Sequence, residues 1–120
     1  MVILVDSSIW VEHFRHRNNH LSSLLQEAVV AAHPFVIGKL ALGRLHPRRE
    51  ILSLLRTLPE SPTATPSELF HYIEKHGLAG SGVGFVDAHL LASTELMRGL
   101  LWTSDKPLQR VADKLDLAYA

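Results

Sequence analysis

The chain contains no cysteine. Disulfides, zinc–thiolate sites and thiol nucleophiles are therefore excluded. It also lacks a prevailing charge: twelve basic and twelve acidic residues cancel over 120 positions. No global field marks nucleic acid or membrane as the partner. Eight histidines add positive charge only below neutrality. No apolar run is long enough to cross a bilayer. The opening Met-Val-Ile-Leu-Val-Asp has none of the basic residues that begin a secretory signal. The expectation is a cytoplasmic protein, not associated with membrane, forming a single domain over 1–120. Aspartate is scarce too, confined to positions 6, 87, 105, 113 and 116.

What is present is a regular alternation. An apolar content of 47% fits a globular core. Residues 2–5, Val-Ile-Leu-Val, form a continuous apolar run of the kind buried in parallel sheets. A helix is expected from Ser7 or Ser8, with Trp10 and Phe14 one turn apart. The stripe Leu21, Leu24, Leu25, Ala28, Val29, Ala32 predicts a helix over 20–32. Helices are expected at 38–45 and 47–58, then a short strand at 61–65. Thr65-Pro-Ser-Glu68 is a capping box opening a helix to about His76. Glycines 77, 80, 82 and 84 form a loop before a helix over 86–97. Leu100-Leu-Trp-Thr103 is a second buried strand. Leu108, Val111, Ala112 and Leu115 stripe the last helix, and 117–120 adds a small strand. The class is α/β, a central parallel sheet of four to five strands flanked by helices.

Three aspartates hold equivalent places. Asp6 ends the first strand, Asp105 follows the strand at 100–103, and Asp87 lies in the first turn of a helix. Each alone is explained by helix capping or by the helix dipole. Together they would lie on the carboxyl edge of a parallel sheet, where ligands bind. Converging carboxylates repel unless a cation holds them, and an oxygen-only donor set suits Mg²⁺ or Mn²⁺. Ser7 and Ser8 either cap the first helix or orient a metal-bound water. Gly80-Ser-Gly-Val-Gly84 lacks the strand and lysine of a phosphate loop and reads as a turn. His13, His16 and His20 read as solvated surface. Arg44, His46, Arg48 and Arg49 are either a wet helix face or phosphate contacts.

The blocks Val2-Ile-Leu-Val-Asp6-Ser-Ser-Ile-Trp10, Gly84-Phe-Val-Asp87-Ala-His-Leu-Leu-Ala92 and Leu101-Trp-Thr-Ser-Asp105-Lys resemble those of PIN-domain ribonucleases. More narrowly, the chain is similar from end to end to VapC-type toxins of bacterial toxin–antitoxin pairs. The resemblance implies a PIN-like fold with four acids on one edge, holding Mg²⁺ or Mn²⁺ and cleaving RNA to 5′-phosphate products. It implies an antitoxin partner and a homodimer. Asp6, Asp87 and Asp105 match the first, third and fourth acids, as catalytic and metal-binding residues. Thr103 matches the supporting hydroxyl, and Ser8 is a second supporting candidate. The second acid is a glutamate in a block here written Ile37-Gly-Lys39-Leu-Ala-Leu-Gly43, so Lys39 occupies its position.

That exchange removes an oxygen ligand and replaces a negative charge by a positive one. A lysine about 4 Å from a divalent cation meets roughly 8 kcal/mol of repulsion at an effective dielectric near 20. The expectation is a folded chain whose nuclease activity is impaired or lost, with the Lys39 ammonium paired to one of the three aspartates. The alternative is a catalytically inactive domain that binds antitoxin or RNA. A phosphoryl-accepting receiver and a haloacid-dehalogenase-type phosphatase fit less well, because Asp6-Ser-Ser8 lacks their second acid. Partner contact is expected near 20–32 and 47–58.

Overall fold

The computed structural model describes residues 1–119. Strand β1, Ile3–Val5, lies at the centre of a parallel sheet between β2, Val30–Ala31, and β3, Leu100–Trp102. Ile3 pairs with both Val30 and Leu100. All three β1 side chains are buried, which accounts for an apolar run with no alternation. Gly99 delivers β3 to its place: a Cβ there would lie 2.5 Å from the Val2 carbonyl oxygen, so the close approach of the two strands requires glycine.

Seven helices surround this sheet among the described residues: α1 Ser7–Arg15, α2 Asn19–Gln26, α3 Pro34–Ala41, α4 Arg48–Thr57, α5 Pro66–Lys75, α6 Phe85–Leu96 and α7 Lys106–Lys114. Trp10 and Leu21 anchor α1 and α2 in the core. Helix α6 packs on β1 and β3 and is buried along most of its length. The capping box is complete: Thr65 Oγ1 accepts the Glu68 N–H, and Glu68 accepts the Thr65 N–H.

The sheet is narrower than expected. Three strands form ladders, and the two further positions are single parallel bridges, Ala32 with Glu60 and Leu101 with Ala118. The bridge at Ala118 falls inside the expected strand at 117–120; Ala120 lies outside the described residues. The expected strand at 61–65 does not form: the parallel bridge sits just before it, at Glu60, and Pro62 within the segment donates no ladder hydrogen bond.

The expected helix over 20–32 is a correction. Helix α2 ends at Gln26, Ala28 turns the chain with φ +59°, and Val30–Ala31 becomes β2. Ala28, Val29 and Ala32 do fall on the helical stripe, but Val29-Val30 is β-branched and His33 precedes a proline. Both features favour extended backbone. For the same reason the next helix begins at Pro34, four residues before the expected 38. Pro34 takes its first position and His33 caps it.

Candidate active site

Asp6 leaves the central strand at its carboxyl end and caps α1. Its Oδ1 accepts the Ser7 N–H at 2.7 Å. Its Oδ2 accepts the hydroxyls of Ser8, at 3.1 Å, and of Thr103, at 2.8 Å. Each hydroxyl also works in the other direction. Ser8 Oγ accepts the Ser104 N–H at 3.1 Å, and Thr103 Oγ1 accepts the Asp105 N–H at 3.0 Å. Two short side chains therefore tie the end of β1 to the end of β3 and hold the Asp6 carboxylate, which is 5% exposed. A buried carboxylate needs such donors, because burial without them costs several kcal/mol.

Asp105 caps α7 through its Oδ2, which accepts the Leu108 N–H at 3.0 Å. Asp87 is half-buried in the first turn of α6. Burial, then the charges of Asp6 and Asp105, push the Asp87 carboxyl above its ordinary range, while Lys39 and the Gly84 backbone pull it back. The three acids of the resemblance thus feel one another across the carboxyl edge of β1 and β3, and Lys39 enters the same field from α3.

Lys39 departs from expectation. Among the described residues the ion pair formed is His76 with Glu95, so the Lys39 ammonium contacts no carboxylate at pairing distance. Helix α3 leaves the residue exposed, and its stem lines a groove between α1 and the α3–α4 connection. The helix itself is firmly set. His33 Nδ1 accepts the Phe35 N–H at 3.0 Å, which fixes the tautomer, so Nε2–H donates to Ser93 Oγ at 3.1 Å. Burial, and secondarily His89, bring the His33 imidazole down to about 4. This anchor was missed in the sequence; the signal was the His33-Pro34 pair. The three histidines expected on solvated surface differ in outcome, and His16 is exposed as expected. His20 is exposed and meets Tyr119, whereas His13 is half-buried and accepts the Asn18 N–H at 2.9 Å.

The donors suit a hard divalent cation in kind, being carboxylate and hydroxyl oxygens whose charges repel. They do not close on one point: among the described residues no three His, Cys, Asp or Glu side chains stand together closely enough to hold a metal ion. Position 39, where the resemblance expects the second of its four acids, carries Lys39.

No family model matches the chain. Two curated proteins do, Ribonuclease VapC32 from Mycobacterium tuberculosis strains CDC 1551 / Oshkosh and ATCC 25618 / H37Rv. Each is 40% identical over 120 residues, covering 99% of this chain and 97% of the relative. The chain belongs to the VapC ribonuclease family. Its PIN-like fold is shared with a solved structure, PAE2754 from Pyrobaculum aerophilum. That structure matches at a TM-score of 0.64 with 17% identity, over 96% of this chain and 92% of the other. Within this VapC chain the blocks around Asp6, Asp87 and Asp105 fall on one sheet edge, while the block around Lys39 opens onto the neighbouring groove.

Proposed function

We propose that this VapC chain is the ribonuclease toxin of a toxin–antitoxin pair, dependent on Mg²⁺ or Mn²⁺ and impaired by Lys39. The observation that carries the reading is the tie of Asp6, Ser8, Thr103 and Asp105, with Asp87 in the field of both acids. Asp6, Asp87 and Asp105 are the residues that would hold the ion. When bound, a divalent ion activates water and stabilises charge developing on a phosphodiester.

The chain's own residues do the positioning. Ser8 and Thr103 donate their hydroxyl hydrogens to Asp6 Oδ2, which holds that carboxylate in its orientation. Asp87 lies in the field of Asp6 and Asp105, and burial with those charges raises a proton affinity that a cation would lower. Lys39 supplies positive charge where a fourth oxygen is needed, which weakens ion binding. RNA is the substrate, an antitoxin the inhibitor, and a homodimer the expected assembly. Exposed apolar side chains available for such contacts are Leu42, Phe70 and Phe85, together with Leu54 in the expected segment 47–58. No large apolar side chain of α2 is among the exposed ones.

A second reading, a binding module without cleavage, is favoured by the open metal cluster. An RNA-cleavage assay with Mn²⁺ separates the two. Lys39→Glu should raise cleavage at least about 100-fold, as restoring a missing metal ligand does, and adding Asp6→Asn should abolish the gain. Equal inactivity of both forms would leave the binding module.

A further inference from the structure

The chain has two tryptophans, and they are placed differently. Trp10 is fully buried in the core, whereas Trp102, at the end of β3, is half-buried. Trp102 forms an aromatic trio with His20, in the first turn of α2, and Tyr119, beyond α7. We infer that this trio is a stacking platform for a base of bound RNA, set on the β3 flank of the acids. The inference rests on the ribonuclease reading and deepens it, because it adds ring surface to a site built of carboxylates and hydroxyls.

Three observations favour this occupant. The first is place. The Trp102 carbonyl accepts the Asp6 N–H at 2.9 Å, and the next residue, Thr103, donates to Asp6 Oδ2. One residue, about 3.8 Å of backbone, therefore separates Trp102 from the hydroxyl that orients the first acid. An RNA phosphate held at the acids brings a neighbouring base within reach of the indole.

The second is preorganisation. The segment after α7 is stitched to β3: the Leu101 N–H donates to the Leu117 carbonyl at 2.7 Å, and the Tyr119 N–H to the Leu101 carbonyl at 2.9 Å. The His20 imidazole and the Tyr119 hydroxyl share a hydrogen bond, and their rings lie within 17° of parallel. Trp102 meets His20 edge-on, with 5.4 Å between ring centres and 73° between planes. Rings fixed in advance lose little freedom when a ligand settles on them.

The third is chemistry. The hydrogen bond between His20 and Tyr119 occupies the phenol hydroxyl and one imidazole nitrogen. What the trio offers a ligand is therefore chiefly π-surface, yet it stays at the solvent boundary, with His20 exposed and Tyr119 half-buried. Aromatic surface beside a phosphodiester site suits single-stranded nucleic acid, because every base has a face to stack.

The test uses the full chain in chelator, so that neither metal nor cleavage enters. Anisotropy follows two labelled probes, an adenine octaribonucleotide and an abasic strand of the same length. The unlabelled adenine strand should also quench the tryptophan emission of the unaltered chain. Because Trp10 is fully buried, Trp102 supplies that change. Trp102→Leu, which keeps β3 apolar, should weaken binding of the adenine strand at least about fivefold, as the loss of one stacked base does. It should abolish the quenching and leave both the salt slope and the abasic strand's affinity unchanged. His20→Ala, at an exposed position, should act in the same direction by a smaller factor. Equal weakening of both strands would mean a merely structural role and overturn the proposal. So would adenine-strand binding without quenching, or no binding at all, and both are read on the unaltered chain even if Trp102→Leu does not fold. The two readings fail separately. Cleavage by Lys39→Glu with no stacking signal would remove only this inference. Trp102-dependent binding without any cleavage would remove only the nuclease reading.

Discussion

The two flanks of β1 are built in opposite ways. On the β3 side, Asp6, Ser8, Thr103 and Asp105 form one hydrogen-bonded unit across the sheet edge. On the β2 side, Lys39 stands on an exposed turn of α3 with no carboxylate partner among the described residues. The first flank is specified by the side chains of the site. The second is specified by the helix underneath, through His33, Ser93 and Pro34. An exchange at position 39 is therefore cheap for the fold, whereas one at Asp6 breaks the hydrogen bonds that join β1 to β3.

The largest effect on stability should come from the anchor of the β2 flank. His33 is buried and its folded pKa of about 4 lies below the ordinary 6.5. The unfolded chain therefore binds the proton first as pH falls. Stability from this group is complete above about 6.5, declines between 6.5 and 4, and levels off below. A shift of that size corresponds to at most about 3 kcal/mol. His33→Asn retains a good helix cap and removes the titration. Urea melts from pH 7 to 4 should show a much flatter decline for the variant, with a remainder from His13 and His89, both also lowered by burial. An unchanged slope would mean that α3 is not held through His33.

On the other flank the expected loss is somewhat smaller. Thr103→Val keeps shape but strips Asp6 Oδ2 of a 2.8 Å hydrogen bond and the Asp105 N–H of its acceptor. Hydrogen bonds to charged groups are worth about 1.5–3 kcal/mol, and Ser8 still serves Asp6, so a loss near 2 kcal/mol is expected. Chemical denaturation at pH 7 measures it. A loss below about 0.5 kcal/mol, the range of ordinary surface changes, would erase the contrast between the flanks.

The same contrast explains what could be read in advance. Asp6, Asp87 and Asp105 were legible because strand ends and helix starts are marked locally, by apolar runs, prolines and capping side chains. Thr103 was legible only through the resemblance. That Ser8 reaches the Ser104 N–H depends on the register of β1 against β3, which no local pattern carries. Strand β2 was hidden because two buried residues are too few to show a period, and the helical stripe ran through them. The direction of Lys39 was misjudged for a related reason. Pairing with an aspartate was inferred from the second-acid position that the resemblance assigns to Lys39, while the helix phase set by Pro34 turns the residue toward the groove.

The smallest effect concerns Asp87, which lies between the flanks. Its carboxyl is raised by burial, then by Asp6 and Asp105, and lowered by Lys39. The folded chain therefore holds this proton more tightly than the unfolded one. The cost of ionising Asp87 is absent below the ordinary value of 3.8 and grows as pH rises through the raised one. Asp87→Asn should stabilise the metal-free protein at pH 7 and give no such gain near pH 3. Because the group is only half-buried, solvent screening keeps that gain under about 1 kcal/mol. The informative comparison is the same substitution in a Lys39→Glu background. There the charge that eased Asp87 becomes one that opposes it, so the gain from Asp87→Asn should increase. A double-mutant cycle in chelator isolates that coupling. A cycle that closes to zero would place Lys39 outside the field of the acids and leave it a groove residue alone. A positive coupling would show that one side chain faces both the acids and the groove, because α3 sets it on the border between them.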